Sequence, residues 1–167
     1  MRIYLEELAI HESEDIYHMV QEIGEGQNGF INSLLSNDWT EFNEKLVRYH
    51  EMSKGTNLSN GLVPQTIYWF YLDNRPIGYG KLRHDLNEKL LEHGGHIGYI
   101  IRPTERSKNY GKIALRELLV KANQKGINEL LLTCNEDNVA SRKVIESNNG
   151  ILSEIKDGTC KYWINHG

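Results

Sequence analysis

Between His96 and Thr133 the sequence changes its period three times, and no other feature restricts the fold so strongly. HIGYIIR is a short apolar run stopped at Pro103, which cannot donate into a strand ladder. RSKNYGK, residues 106 to 112, then sets cations, small polar residues, a tyrosine and a glycine where a strand hands over to a helix. From about Asn109 to Gln124 the residues Ile113, Leu115, Leu118, Leu119 and Ala122 recur at helical intervals, and Gly126 supplies the stop. NELLLT is continuously apolar, as a strand covered on both faces must be.

The flanking segments fill in the same pattern. RIYLEELAI is strand-like, and SEDIYHMVQEIGE predicts a helix capped by Ser13 with Ile16, Met19, Val20 and Ile23 inward. A second helix starts at Asp38, repeats Trp39, Phe42, Leu46, Val47 and Tyr49 or His50, and ends at Gly55. QTIYWFYLDNRPIGYGKLRHDL predicts a hairpin around DNRP. NVASRKVIES is helical, capped by Asn138 or Asp137, and ILSEIKDGTCKYWI is a second hairpin turning at Asp157-Gly158. The order βααβββαβαββ predicts an α/β (mixed α+β) fold: a mixed sheet of six or seven strands with helices on both faces.

At 167 residues, 39% hydrophobic and 25% charged, the chain is expected to form a single domain over residues 1–167. A formal net charge of -4 speaks against a nucleic-acid partner. The N-terminus lacks the apolar core of a signal peptide, and no segment approaches the roughly 20 apolar residues of a spanning helix. A soluble, cytoplasmic protein with no membrane partner is therefore expected. Cys134 and Cys160 are too few for a disulfide scaffold and are read as reduced thiols. His93 and His96 lack further ligands at helix or hairpin spacing, so no metal is expected.

The basic turn has a physical use. The first N–H groups of a helix have no intrahelical partner and carry the positive end of its dipole, which attracts phosphate. Arg106, Lys108 and Lys112 add charge, Ser107 and Asn109 offer polar contacts, and Gly111 presents backbone without a Cβ. The pattern is neither GxxxxGK[ST] nor GxGxxG, and a basic surface loop is the plain alternative.

IGYIIRPTERSKNYGKIALRELLVKA followed by LLLTCNEDNVASRKVIESNNGIL resembles the acetyl-CoA-binding half of a GNAT-type N-acetyltransferase, over about Thr66 to Ile164. In that family the loop runs Arg or Gln, two residues, Gly, one residue, then Gly or Ala. Arg106 and Gly111 match its ends, and Asn109 replaces the first glycine. Asparagine is the residue after glycine that best tolerates a left-handed backbone. The resemblance implies a GNAT-like splayed sheet, with residues 1–62 shaping the acceptor site and 63–167 forming the acetyl-CoA core. It implies acetyl-CoA as co-substrate, its pyrophosphate on the amides of Arg106, Ser107, Lys108, Asn109, Tyr110, Gly111 and Lys112. It also implies its pantetheine arm along Tyr99, Ile100 and Ile101, with Asn138 and Ser141 contacting it from the next helix.

Transfer to an amine needs a group that removes the ammonium proton and an N–H for the developing oxyanion. LRHDLNEKLLEHGGHIGY supplies His96, the first choice, with His84 and Glu92 behind it. Many family members place a tyrosine on the last helix to protonate the thiolate. Ile145 stands at that position, leaving the general acid to water, another side chain or no group. The expected activity is direct transfer of acetyl from acetyl-CoA to a primary amine of a small molecule or peptide, by a monomer or homodimer. The alternative is a non-catalytic acyl-CoA or ligand sensor of the same fold.

Overall fold

The computed structural model describes residues 2–166. The first half of the chain contains β1 (Ile3–Glu7), α1 (Glu14–Ile23), the short pair β2 (Gly26–Gln27) and β3 (Phe30–Ile31), and α2 (Trp39–Ser53). Then come β4 (Gln65–Leu72), β5 (Arg75–Arg83), a one-turn helix α3 (Glu88–Glu92) and β6 (Ile97–Ile101). The remainder is a 3₁₀ turn over Pro103–Glu105, α4 (Tyr110–Gln124), β7 (Glu129–Asn135), α5 (Val139–Ser147), β8 (Ile151–Lys156) and β9 (Thr159–Asn165).

The helix ends follow the local chemistry. Ser13 and Asp38 accept the backbone N–H groups of Ile16 and Glu41 and so cap α1 and α2. Ile16, Met19, Val20 and Ile23 are all buried. On α2 the inward face is Phe42, Leu46, Tyr49 and Met52, while Trp39 and Val47 lie toward solvent. β2, β3 and α3 are additions to the predicted order, in GEGQNGF and NEKLLE, where segments this short carry no readable period.

The strands form a four-stranded sheet in the order β1-β4-β5-β6 and a three-stranded sheet in the order β7-β9-β8. The α4 crossover joins β6 to β7 across the boundary between them. The seven-stranded sheet therefore splits there, and each half is antiparallel within itself. Alternate residues of β4 enter different cores. Tyr68 and Phe70 pack with α4, β7 and β9, whereas Ile67 and Trp69 pack with α1 and α2. A strand covered on both faces is apolar throughout, which explains the unbroken run in TIYWFYL. Gly80 lets α4 close on this sheet, since a Cβ there would stand 2.8 Å from the Phe70 ring and 2.9 Å from Leu118.

The two half-sheets meet at one vertex, built by HGGH. The His96 N–H donates to the Leu131 carbonyl at 2.8 Å, the Leu131 N–H donates to His96 Nδ1 at 2.9 Å, and the Gly94 N–H donates to Thr133 Oγ1 at 2.8 Å. Gly95 has φ +59, and a Cβ on it would lie 2.3 Å from the Leu131 oxygen, so only glycine fits. Beyond this vertex β6 and β7 share no ladder.

Candidate active site

The gap between β6 and β7 is a cleft of about 520 Å³. One wall is β6 with the opening of the loop after it, the other is β7 with Ser141 and Ile145 of α5, and the Gln27–Ile31 segment closes the end. β6 bonds to β5 along one edge, so the main chain of Tyr99, Ile100 and Ile101 offers its other edge to the cleft. Burial pushes the Tyr99 phenol well up, keeping it protonated.

The loop after β6 has the backbone of an anion receptor. Ser107 and Asn109 are left-handed, with φ 63 and 70, on either side of Lys108. Alternation of this kind turns successive N–H groups into one concavity. Among the described residues, the N–H groups of Ser107, Lys108 and Asn109 have no backbone partner, and the first turn of α4 adds its own free donors. Asn109 therefore takes the left-handed place of a glycine, and Ser107 takes a second that the sequence did not flag.

The loop's side chains are mostly engaged elsewhere. Buried Glu105 holds Arg75 at 3.0 Å and Lys108 at 3.3 Å. Arg106 turns back toward the cleft, donating from Nε to the Ile101 carbonyl at 2.8 Å and from Nη1 to Gln27 Oε1, so it ties the loop to β2. Tyr110 packs on the core beneath α4. Lys112 is exposed, and its carbonyl accepts from Asn148 at 3.2 Å. Gly111 lies where α4 nears α5, and a Cβ there would meet Tyr99 at 3.6 Å and Val144 at 3.9 Å. Asn138 caps α5, accepting the Ser141 N–H at 3.3 Å and donating to Ser141 Oγ at 3.0 Å, which fixes the hydroxyl that faces the cleft.

The three groups singled out for proton removal do not come together. His96 is 7% exposed, committed to Leu131 at the vertex, and outside the cleft lining. Burial lowers its pKa. His84 pairs with Thr66 Oγ1 at 2.8 Å, and burial lowers it as well. Glu92 is exposed and lies 3.5 Å from Lys156 and 3.8 Å from Lys161. The imidazole that does line the cleft is His93, its Nδ1 3.3 Å from Thr159 Oγ1.

Three further cleft side chains were not flagged as such by sequence reasoning. Lys81 and Arg83 project from β5 into the cleft, and Cys134 enters it from β7 opposite Cys160 on β9. The available signal was the spacing: Lys81 and Arg83 are two apart on a strand whose alternate positions are apolar, so both share one face. Burial pushes the Cys134 thiol up to about 11, so it is protonated at neutral pH. Among the described residues no cluster of three or more His, Cys, Asp or Glu could hold a metal, and no helix is long and apolar enough to cross a membrane.

The open β6 edge thus leads to a left-handed loop with free N–H groups at the start of α4, and the model of the acetyltransferase (GNAT) family matches residues 30–151. The chain belongs to the GNAT acetyltransferase family. Known GNAT structures share the fold over nearly the whole chain. The N-acetyltransferase PseH of Campylobacter jejuni, in complex with acetyl coenzyme A, is 13% identical over 99% of this chain and 100% of its own, with a TM-score of 0.66. The Salmonella typhimurium acetyl transferase that modifies the N-terminal serine of ribosomal protein L7/L12 is 15% identical over 99% and 95%, with a TM-score of 0.67. The microcin C7 self-immunity acetyltransferase MccE, in complex with acetyl-CoA and AMP, is 16% identical over 98% and 92%, with a TM-score of 0.63. No curated protein matches this GNAT sequence.

Proposed function

We propose that this GNAT protein transfers the acetyl group of acetyl-CoA directly to a primary amine bound in the same cleft. The observation that carries the reading is the junction of the unpaired β6 edge with the nest of N–H groups from Ser107 to Lys112. In this reading the loop amides hold the pyrophosphate, the β6 edge holds the pantetheine amides, and Asn138 and Ser141 line the other side. Residues 1–62 complete the acceptor end through the Gln27–Ile31 segment within one domain.

Direct transfer is favoured over an acetyl-cysteine route because Cys134 keeps its proton at neutral pH and so is a poor nucleophile. For proton removal we assign His93, the imidazole in the cleft lining, acting through water. The nearby cations Lys81 and Arg83 assist by disfavouring the ammonium form of the acceptor. In this reading the Ser141 hydroxyl, held by Asn138, passes a proton to the departing thiolate in place of the tyrosine that Ile145 replaces. Two free thiols fit a reducing compartment, and the reading places the protein in the cytoplasm.

Thiol release from acetyl-CoA, measured against amino acids, peptides, amino phosphates, polyamines and aminoglycosides, tests the proposal. Saturable release with one of these classes is expected. Tight acetyl-CoA binding without release from any of them would favour the sensor alternative.

A further inference from the structure

From the acceptor end of the cleft, and resting on the acetyl-transfer reading above, we infer that the acceptor carries an anionic oxygen group close to its amine, bound by Lys81 and Arg83. The chain is acidic overall, with 23 Asp and Glu against 19 Lys and Arg, yet no Asp or Glu lines the cleft among the described residues. Its charged lining on this side is cationic.

Lys81 is only 7% exposed. Its Nζ donates to the Ile31 carbonyl at 2.8 Å and lies 4.8 Å from the centre of the Phe30 ring, which leaves further N–H directions free. Arg83, two residues along the same face, donates from Nη1 to the carbonyls of Gly94 and Gly95 at 3.3 and 3.4 Å. Neither cation pairs with a carboxylate among the described residues. A buried cation without a counter-ion costs the fold stability, a cost that binding an anion beside it would offset.

A second observation points the same way. Among the described residues two buried side-chain oxygens have no hydrogen-bond partner, Ser33 Oγ and Gln65 Oε1, and both residues line this cleft. Gln65 stands directly across from Arg83 in the β4–β5 register. The Ser33 hydroxyl can donate to an anion, while the Gln65 oxygen suits the ammonium or amide hydrogens beside it. Two cations, one hydroxyl donor and one acceptor oxygen in one enclosure match a small zwitterion, with a carboxylate or a phosphate as the anionic group. They oppose polyamines and aminoglycosides, which would bring only positive charge.

The test compares matched acceptors by thiol release: an α-amino acid against its amide, and an aminoalkyl phosphate against the corresponding amino alcohol, with putrescine as the polycation. The anionic member of one pair should have a kcat/KM at least about tenfold above its neutral partner, and the pair that shows it identifies carboxylate or phosphate. In Lys81→Met that preference should collapse toward unity, and Arg83→Gln should reduce it in the same direction. Release that is equal within both pairs, or fastest with putrescine, overturns the inference and leaves acetyl transfer standing.

If no amine supports release, acetyl transfer fails instead, and binding decides the anion site separately. In ¹⁵N-labelled protein, inorganic phosphate or acetate should shift the amides of Ile31, Gly94 and Gly95 saturably, and Lys81→Met should abolish the shifts. Unchanged or non-saturating shifts with both anions overturn the site.

Discussion

Replacing Lys81 by methionine should make the protein more stable, because the fold holds this charge at a loss. Burial, with Arg83 as a second cause, lowers the Lys81 ammonium from 10.5 to about 8. At about 1.4 kcal/mol per pH unit, the charged form is set back by about 3 kcal/mol relative to the unfolded chain at neutral pH. Methionine keeps the stem against Phe30 but strips the Ile31 carbonyl of its donor, which costs about 1 kcal/mol or somewhat more. The net gain is about 1–2 kcal/mol, or a rise in Tm of about 2–8 °C for a chain of this size. The penalty is full below pH 8, where Lys81 is charged in both states, and disappears as pH rises from 8 toward 10.5. Cys134 and Tyr71 run the opposite way: burial pushes them up to about 11 and about 12, so the unfolded chain loses those protons first and the fold weakens at high pH. Subtracting wild type from Lys81→Met cancels those groups. Urea unfolding at pH about 7 and about 10 should therefore show the variant ahead at the lower pH and its advantage gone at the higher. A variant less stable at pH about 7, or a difference that ignores pH, would mean that Lys81 is not an unpaired buried cation.

Four other predictions concern the site and its surroundings. His93→Gln should lower kcat by about 10²-fold while acetyl-CoA affinity holds. His96→Gln should instead lower stability by loosening the vertex, and should weaken the acid sensitivity of the melt. His96 is held neutral in the fold, so its stability contribution is lost as pH falls below the unfolded histidine value of about 6.5; the opposite pattern in the two variants would exchange their roles. Asn109→Val, a β-branched residue forced to φ 70, should weaken acetyl-CoA binding by about tenfold relative to Asn109→Gly, as calorimetry would show, and equal affinities would remove the left-handed loop from the site. Ile145→Ala should cost about 2–4 kcal/mol in denaturant unfolding, since the side chain is 2% exposed, and a selective loss of turnover in a fully stable variant would give Ile145 a chemical role.

The elements that could be read from sequence were those with a period and a punctuation mark. Ser13, Asp38, Asn138 and the Asp157-Gly158 turn sit where their chemistry predicts, and Asp157 and Gly158 both have positive φ. The left-handed backbone at Asn109 was legible for the same reason, because few residues tolerate it. What sequence did not disclose depends on contacts distant in the chain. Whether His93 or His96 faces the cleft is settled by hydrogen bonds to Leu131, Thr133 and Thr159, all at least 35 residues away. The burial of Lys81 depends on the Phe30–Ile31 segment, 50 residues earlier, folding over it. Local pattern carries no information of that range.

Acetyl-CoA labelled with deuterium in its acetyl group, incubated with the protein and the acceptor panel and followed by mass spectrometry, tests the central claim most directly. Direct transfer predicts the labelled acetyl on an amine nitrogen of the acceptor, with release of coenzyme A and none of the label on Cys134 at any time. Label trapped on Cys134, or acetyl-CoA that stays intact beside every acceptor while bound to the protein, would contradict it.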